Sequence, residues 1–181
     1  MVMSNTQAIH SFPDAFAAFP AGARAWLFAS ESPLSDDSKS EILSTLESTI
    51  SKWKSHGAEI AANATFLDEV TFLVVADFTQ AEMSGCSIDR MIVAVREASD
   101  KTGVNLLDTR GVHYWDHTGR HFASRDRFAE LAAIGAVDAG TMVLDLTRIT
   151  LADIRDGKWK VPAGSAWHRR AFALSGTPIA V

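Results

Sequence analysis

The segment Val70-Thr71-Phe72-Leu73-Val74-Val75-Ala76 limits the fold of this chain more than any other stretch. It is almost continuously apolar and rich in β-branched residues, without the polar alternation of a half-exposed strand. Such a run predicts a central strand covered on both faces, and therefore structure packed above and below it. Two further strands are predicted around it. Ala25-Trp26-Leu27-Phe28-Ala29 is a short apolar run ending near Ser32-Pro33. Glu59 to Leu67 reads as a strand joined to the central one through Asp68-Glu69, a two-residue hairpin loop.

Between and after these strands the apolar period changes to that of a helix. Ser35 is a candidate N-cap with Asp36 and Asp37 in the first turn, and Ser38-x-x-Glu41 is a second capping-box candidate. Ile42, Leu43, Leu46, Ile50 and Trp53 then share one face, with Gly57 as the stop and His56 in the last turn. A second helix is predicted after Cys86, capped by Ser87, with Ile88, Met91, Ile92 and Val95 on its buried face and Gly103 at its end. Val104 to Leu107 and Gly111 to Trp115 offer another strand, broken around Asp108-Thr109-Arg110, and Asp116 to Gly119 turns the chain back into Arg120 to Ala123.

Residues 25–116 thus run strand, helix, strand, strand, helix, strand. The class is α+β, and the order predicts a ferredoxin-like βαββαβ core with both helices on one face of an antiparallel sheet. The C-terminal extension adds a helix capped by Ser124 and carrying Phe128, Leu131 and Ile134, a strand over 141–146, a short helix after Thr150 and a last helix around 165–172. No repeat or low-complexity linker divides the chain, so a single domain over 1–181 is expected. Residues 1–22 form an irregular N-terminal arm interrupted by Pro13, Pro20 and Gly22, with fraying first residues, and 173–181 form a tail.

With 47% hydrophobic residues in 181, the chain is large enough to bury a core without a disulfide or a structural metal. Its one cysteine cannot form an internal disulfide, no secretion signal opens the sequence, and no apolar run approaches the ~20 residues that span a bilayer. A soluble, cytoplasmic protein is therefore expected. The net charge of -5 and scattered basic residues argue against a nucleic-acid partner. The densest basic group, His168-Arg169-Arg170, reads as cations at a helix C-terminus.

Chemistry is concentrated at Met83-Ser84-Gly85-Cys86-Ser87-Ile88-Asp89, where an apolar run gives way to a helix. Unpaired N–H groups in a first helical turn favour an anion nearby and can activate a thiolate. Cys86 is therefore a candidate nucleophile, with His56 and His113 as candidate bases; Ser84, Gly85, Ser87, Asp89 and Trp53 are candidate binding residues. The alternative is a small apolar residue filling a tight turn.

His113, His117 and His121 recur every fourth residue. In a hairpin, however, the expected register sets His113 diagonal to His121 on one face, and hairpin polar residues explain the pattern without a metal; no metal site is assigned. Trp159 and Trp167 near the carboxyl end are either packing residues or part of an apolar patch for a partner or a second copy of the chain. The only Gly-Lys pair, Gly157-Lys158, precedes Trp159 where a phosphate loop needs Ser or Thr, and no G-x-S-x-G, H-E-x-x-H or G-x-G-x-x-G occurs.

Three groups of residues carry a resemblance: Trp53 with His56-Gly57, then Ser84-Gly85-Cys86-Ser87-Ile88-Asp89, and Trp159-x-Val161-Pro162-Ala163 followed by Ser165-x-Trp167. Over roughly residues 20–172 the chain resembles a family of small uncharacterised bacterial proteins commonly labelled "ABC transporter ATPase". The label implies nucleotide hydrolysis, for which this chain has no phosphate-binding loop. The family hairpin near 113–121 is acidic, where this chain is rich in histidine. The leading expectation is a non-hydrolytic small-molecule or protein-binding domain with a site near Cys86 and no identified cofactor. The alternatives are a thiol-dependent enzyme or redox sensor using Cys86, and a structural subunit associating through the Trp159–Trp167 region.

Overall fold

The computed structural model describes residues 12–107 and 110–176. In chain order it contains β1 (Arg24–Ala29), α1 (Asp36–Ile50), β2 (Lys54–Ser55), β3 (Ala58–Glu59), β4 (Ala61–Phe66), β5 (Thr71–Asp77) and α2 (Gly85–Thr102). These are followed by β6 (Gly111–Asp116), β7 (Gly119–Ser124), α3 (Arg125–Ala133), β8 (Met142–Leu144), α4 (Leu151–Arg155), β9 (Lys160–Pro162) and α5 (His168–Ala171). The architecture is α+β.

The central apolar run becomes β5, flanked antiparallel by β1 and β4. Residues Thr71 to Ala76 are fully buried. Because successive side chains point to opposite faces, they serve two cores. Phe72, Val74 and Ala76 pack with Phe28 against Ile42 and Leu46 of α1 and Met91 and Val95 of α2. Leu73 and Val75 pack with Ala25 and Leu27 against Phe16 of the N-terminal arm and Leu151 and Ile154 of α4. Each of these side chains larger than alanine contributes roughly 1.5–3 kcal/mol by leaving water.

Several element ends differ from the sequence expectation, for local reasons. Helix α1 stops at Ile50 rather than near Gly57. Lys54 to Glu59 instead form a tight hairpin whose turn residues, His56 and Gly57, both have positive φ, 49° and 87°. That backbone is what a two-residue hairpin turn requires, so Gly57 serves a hairpin and not a helix stop. Helix α2 is capped one turn earlier than expected, by Ser84, whose hydroxyl accepts from the Ser87 N–H while the Ser87 hydroxyl accepts from the Ser84 N–H. The β4–β5 loop is wider than two residues, since Phe66 pairs with Phe72. Asp68 closes it by accepting from the N–H groups of Val70 and Thr71. Residues 104–107 are not a strand, although Leu106 is buried. The expected break at Asp108-Thr109, the fraying first residues and the end of the tail lie outside the described residues.

The strand expected to complete a ferredoxin-like sheet, Gly111–Asp116, does not lie beside β1. It joins a second antiparallel sheet of order β7-β6-β8-β9. The outer edge of β1 is met instead by the segment before α4, with the Ala25 N–H donating to the Ile149 carbonyl at 2.9 Å and a bridge between Arg24 and Thr150. The physical reason is locality. Strands β6 and β7 are joined by a tight turn and pair at little loop-closure cost. Their inner residues Val112 and Ala123 build a separate core with Phe128, Val137 and Val143. Strand β6 is thus committed on both edges, to β7 and β8.

Candidate functional site

The sequence-predicted segment around Cys86 is brought together as a docked helix start. Trp53 is 1% exposed, and its indole N–H donates to the Ser87 carbonyl at 2.9 Å. The Ser55 hydroxyl, on the β2–β3 hairpin, donates to the Glu82 carbonyl and lies 3.1 Å from the Ser84 hydroxyl. The polar groups of Trp53, Ser84 and Ser87 are therefore occupied by one another and by neighbouring backbone. Cys86 and Asp89 are exposed, and a Cβ built at Gly85 meets open space. His56 belongs to the exposed hairpin turn and His113 to the second sheet. Among the described residues, neither hydrogen-bonds Cys86, so the geometry does not assemble a thiol and a base.

The histidine-rich hairpin has a register one step from the expected one. Asp116 pairs with Gly119, Trp115 with Arg120, Tyr114 with His121 and His113 with Phe122. A one-residue change in register exchanges the two faces of a strand. His113 and His121 consequently leave on opposite sides: His121 stacks on Tyr114 with centroids 5.1 Å apart, while His113 turns toward Arg120. His121 lies 2.8 Å from Asp116, which also accepts from the Thr118 N–H and hydroxyl and so closes the turn. These bonds hold the Asp116 carboxyl well below the usual carboxylate range, the Thr118 hydroxyl acting most strongly. Among the described residues, no group of three or more His, Cys, Asp or Glu side chains is arranged to hold a metal ion.

The face of the second sheet that carries His113, Trp115 and Arg120 meets the β4–β5 loop of the first, and a cleft lies between them. Arg120 crosses it. Its Nη1 donates to the Asp68 carboxylate at 2.8 Å and to the Thr71 hydroxyl at 3.0 Å, and its Nε donates to His113 Nδ1 at 3.3 Å. Since a guanidinium can only donate, His113 Nδ1 accepts, and neutral His113 carries its proton on Nε2. His113 is 6% exposed. Burial, with the Arg120 charge second, pushes its pKa down to about 4 against the opposing pull of Asp68.

Two cations flank the Trp115 ring on the second-sheet side. The Arg120 guanidinium lies 5.0 Å from the Trp115 ring centroid and the Lys160 ammonium 4.3 Å from it. Burial lowers the Lys160 pKa, and Arg120 adds to the effect. The remaining Arg120 nitrogen, Nη2, is buried and has no hydrogen-bond partner among the described residues. Arg120 lines a cavity of about 430 Å³ whose other walls include Glu31, Asp68, Glu69, Val70, Trp115 and Phe122. Phe122 lies across Gly111, where a Cβ would collide with the edge of its ring.

Sequence reasoning found His113 but missed Arg120 and Asp68. The available signal was the pairing of His113-x-Trp115 with Arg120-x-Phe122, which requires the register to be known. The tryptophans near the carboxyl end are packed: Trp159 lies against the core of the first sheet, and Trp167 stacks on His168 with centroids 4.0 Å apart.

These features define an α+β protein with a polar, aromatic-lined cleft between its two larger sheets. No family model, curated protein or solved structure matches the chain. No helix among the described residues is long and apolar enough to cross a membrane.

Proposed function

We propose that this chain is a non-hydrolytic small-molecule-binding protein whose site is the cleft between the sheets rather than the start of α2. The observation that carries the reading is Arg120, which lines a cavity of about 430 Å³ and whose Nη2 is buried without a partner among the described residues. Leaving such a donor unpaired costs about 1–3 kcal/mol or more, which a ligand acceptor would recover. The volume is in the range of small-molecule sites, and Trp115 and Phe122 supply the apolar walls such sites use. The test is a thermal-shift screen of small polar compounds against the whole chain, repeated with Arg120→Met. Ligands that stabilise the parent and fail on the variant support the reading. Stabilisation indifferent to Arg120→Met opposes it.

In this reading, β1, α1, β4, β5 and α2 are the βαββα part of a ferredoxin-like unit whose closing strand was diverted to build the second wall of the cleft. Kinship with the small bacterial proteins labelled as transporter ATPases is kept as part of the proposal, without nucleotide hydrolysis. A second reading, a thiol enzyme or redox sensor, is favoured by one observation: Cys86 is exposed in the first turn of α2. Iodoacetamide alkylation of the native thiol no faster than that of a model thiol across the neutral range would remove it.

A further inference from the structure

A second cavity, of about 320 Å³, lies beside the first and shares His113 with it; its other walls include Arg125, Leu144, Leu146, Trp167 and His168. His168 is 1% exposed, and its Nδ1 is buried without a hydrogen-bond partner among the described residues. An unpaired imidazole nitrogen at that depth needs an explanation, and a ligand atom supplies one. The charges nearby indicate which kind. Asp145 is buried but already matched, with Arg148 Nε 3.0 Å away as an ion pair and the Thr147 hydroxyl donating at 2.6 Å. Arg125 stands 5.0 Å from the Trp167 ring centroid and, among the described residues, has no ion-pair partner. One uncompensated cation therefore faces two neutral imidazoles and an apolar wall.

We infer that this inner cavity binds a small monocarboxylate with an apolar body, its carboxylate accepting from Arg125 and from the N–H of neutral His168 and its body lying against Leu144, Leu146 and Trp167. The inference deepens the reading of the cleft as a ligand site and assigns the ligand class of its inner part. A single free cation suits a monoanion better than a dianion. A cationic amine is disfavoured by Arg125, and a neutral amide forgoes the charge-assisted bond.

The test is an NMR titration of the full chain at neutral pH with benzoate, benzamide and benzylamine as probes, following histidine-ring and indole signals. Benzoate is expected to move the His168 and Trp167 signals saturably, with benzamide and benzylamine weaker by about tenfold or more. Arg125→Gln, at an exposed position, should weaken benzoate by about tenfold, and Lys52→Gln, exposed and outside the walls of both cavities, should leave it within about threefold. Equal binding of benzamide, no response to millimolar benzoate, or indifference to Arg125→Gln overturns the inference. Benzoate lost with Arg120→Met but kept with Arg125→Gln places the ligand in the outer cavity, which overturns the inner assignment while supporting the proposed function.

Discussion

Arg120 Nη1 lies 2.8 Å from the Asp68 carboxylate, so one ion pair joins β7 of the second sheet to the β4–β5 loop of the first. Arg120→Met keeps most of the side-chain volume and removes the clasp. The Asp68 side chain is 34% exposed and can rehydrate, so the expected loss is about 1–3 kcal/mol rather than the ~3–5 kcal/mol of a wholly buried pair. Urea denaturation of Arg120→Met, Asp68→Asn and the double variant measures the coupling. A coupling energy near zero would show that the two residues do not act as a pair.

Acid should destabilise the fold through two histidines. In the folded chain, burial pushes His168 down to about 4, with Arg125 assisting and Asp145 opposing, and His113 is likewise lowered to about 4. Both pKa values lie below the ordinary, unfolded value of about 6.5. The unfolded chain therefore binds more protons between these limits. The stability linked to these groups is complete above about pH 6.5 and is lost as pH falls toward 4, by roughly 2–3 kcal/mol for each histidine. Urea midpoints measured across that range should fall with pH, and His113→Gln or His168→Gln should flatten the slope whatever its own cost. An unchanged slope in both variants refutes the assignment.

The start of α2 should respond to distant Trp53. Trp53→Phe deletes the indole donor to the Ser87 carbonyl and is expected to cost about 1 kcal/mol. Ser84→Ala removes the cap at a similar cost. In both variants, amide hydrogen exchange in the first turn of α2 should accelerate more than exchange in β5.

Gly111 is required by Phe122. Gly111→Ala forces the ring aside, with an expected cost of about 1–3 kcal/mol if the ring cannot repack. Phe122 ring signals shifted by the substitution, together with altered ligand response of the outer cavity, check the displacement.

Cys86→Ser should leave stability within about 0.5 kcal/mol, because the side chain is exposed and has no hydrogen-bond partner among the described residues. A large loss on denaturation would show a structural role for the thiol.

The sequence by itself determined the elements whose signals are local. The uninterrupted apolar run identified β5 as a central strand because only burial on both faces tolerates it. Ser35, Ser124 and Thr150 announced helix starts through caps that act within one turn. The α+β class followed from the change between periods. The Ser84–Asp89 segment was also legible as a place where several residues converge, with Trp53 and Ser87 in direct contact.

Tertiary structure decided what depends on partners far along the chain. The same Gly57 can end a helix or turn a hairpin, and docking of Ser55 and Trp53 against α2 accompanies the second outcome. The same β6 can close a ferredoxin-like sheet or pair with β7, and the separate core around Phe128 accompanies the second. The register of the β6–β7 hairpin then set His113 toward Arg120 and His121 away from it. The cleft, with Asp68 and Arg120 separated by more than fifty positions in the chain, exists only because two sheets meet. Strand periodicity specifies which residues share a face, but not which face of another sheet they will meet.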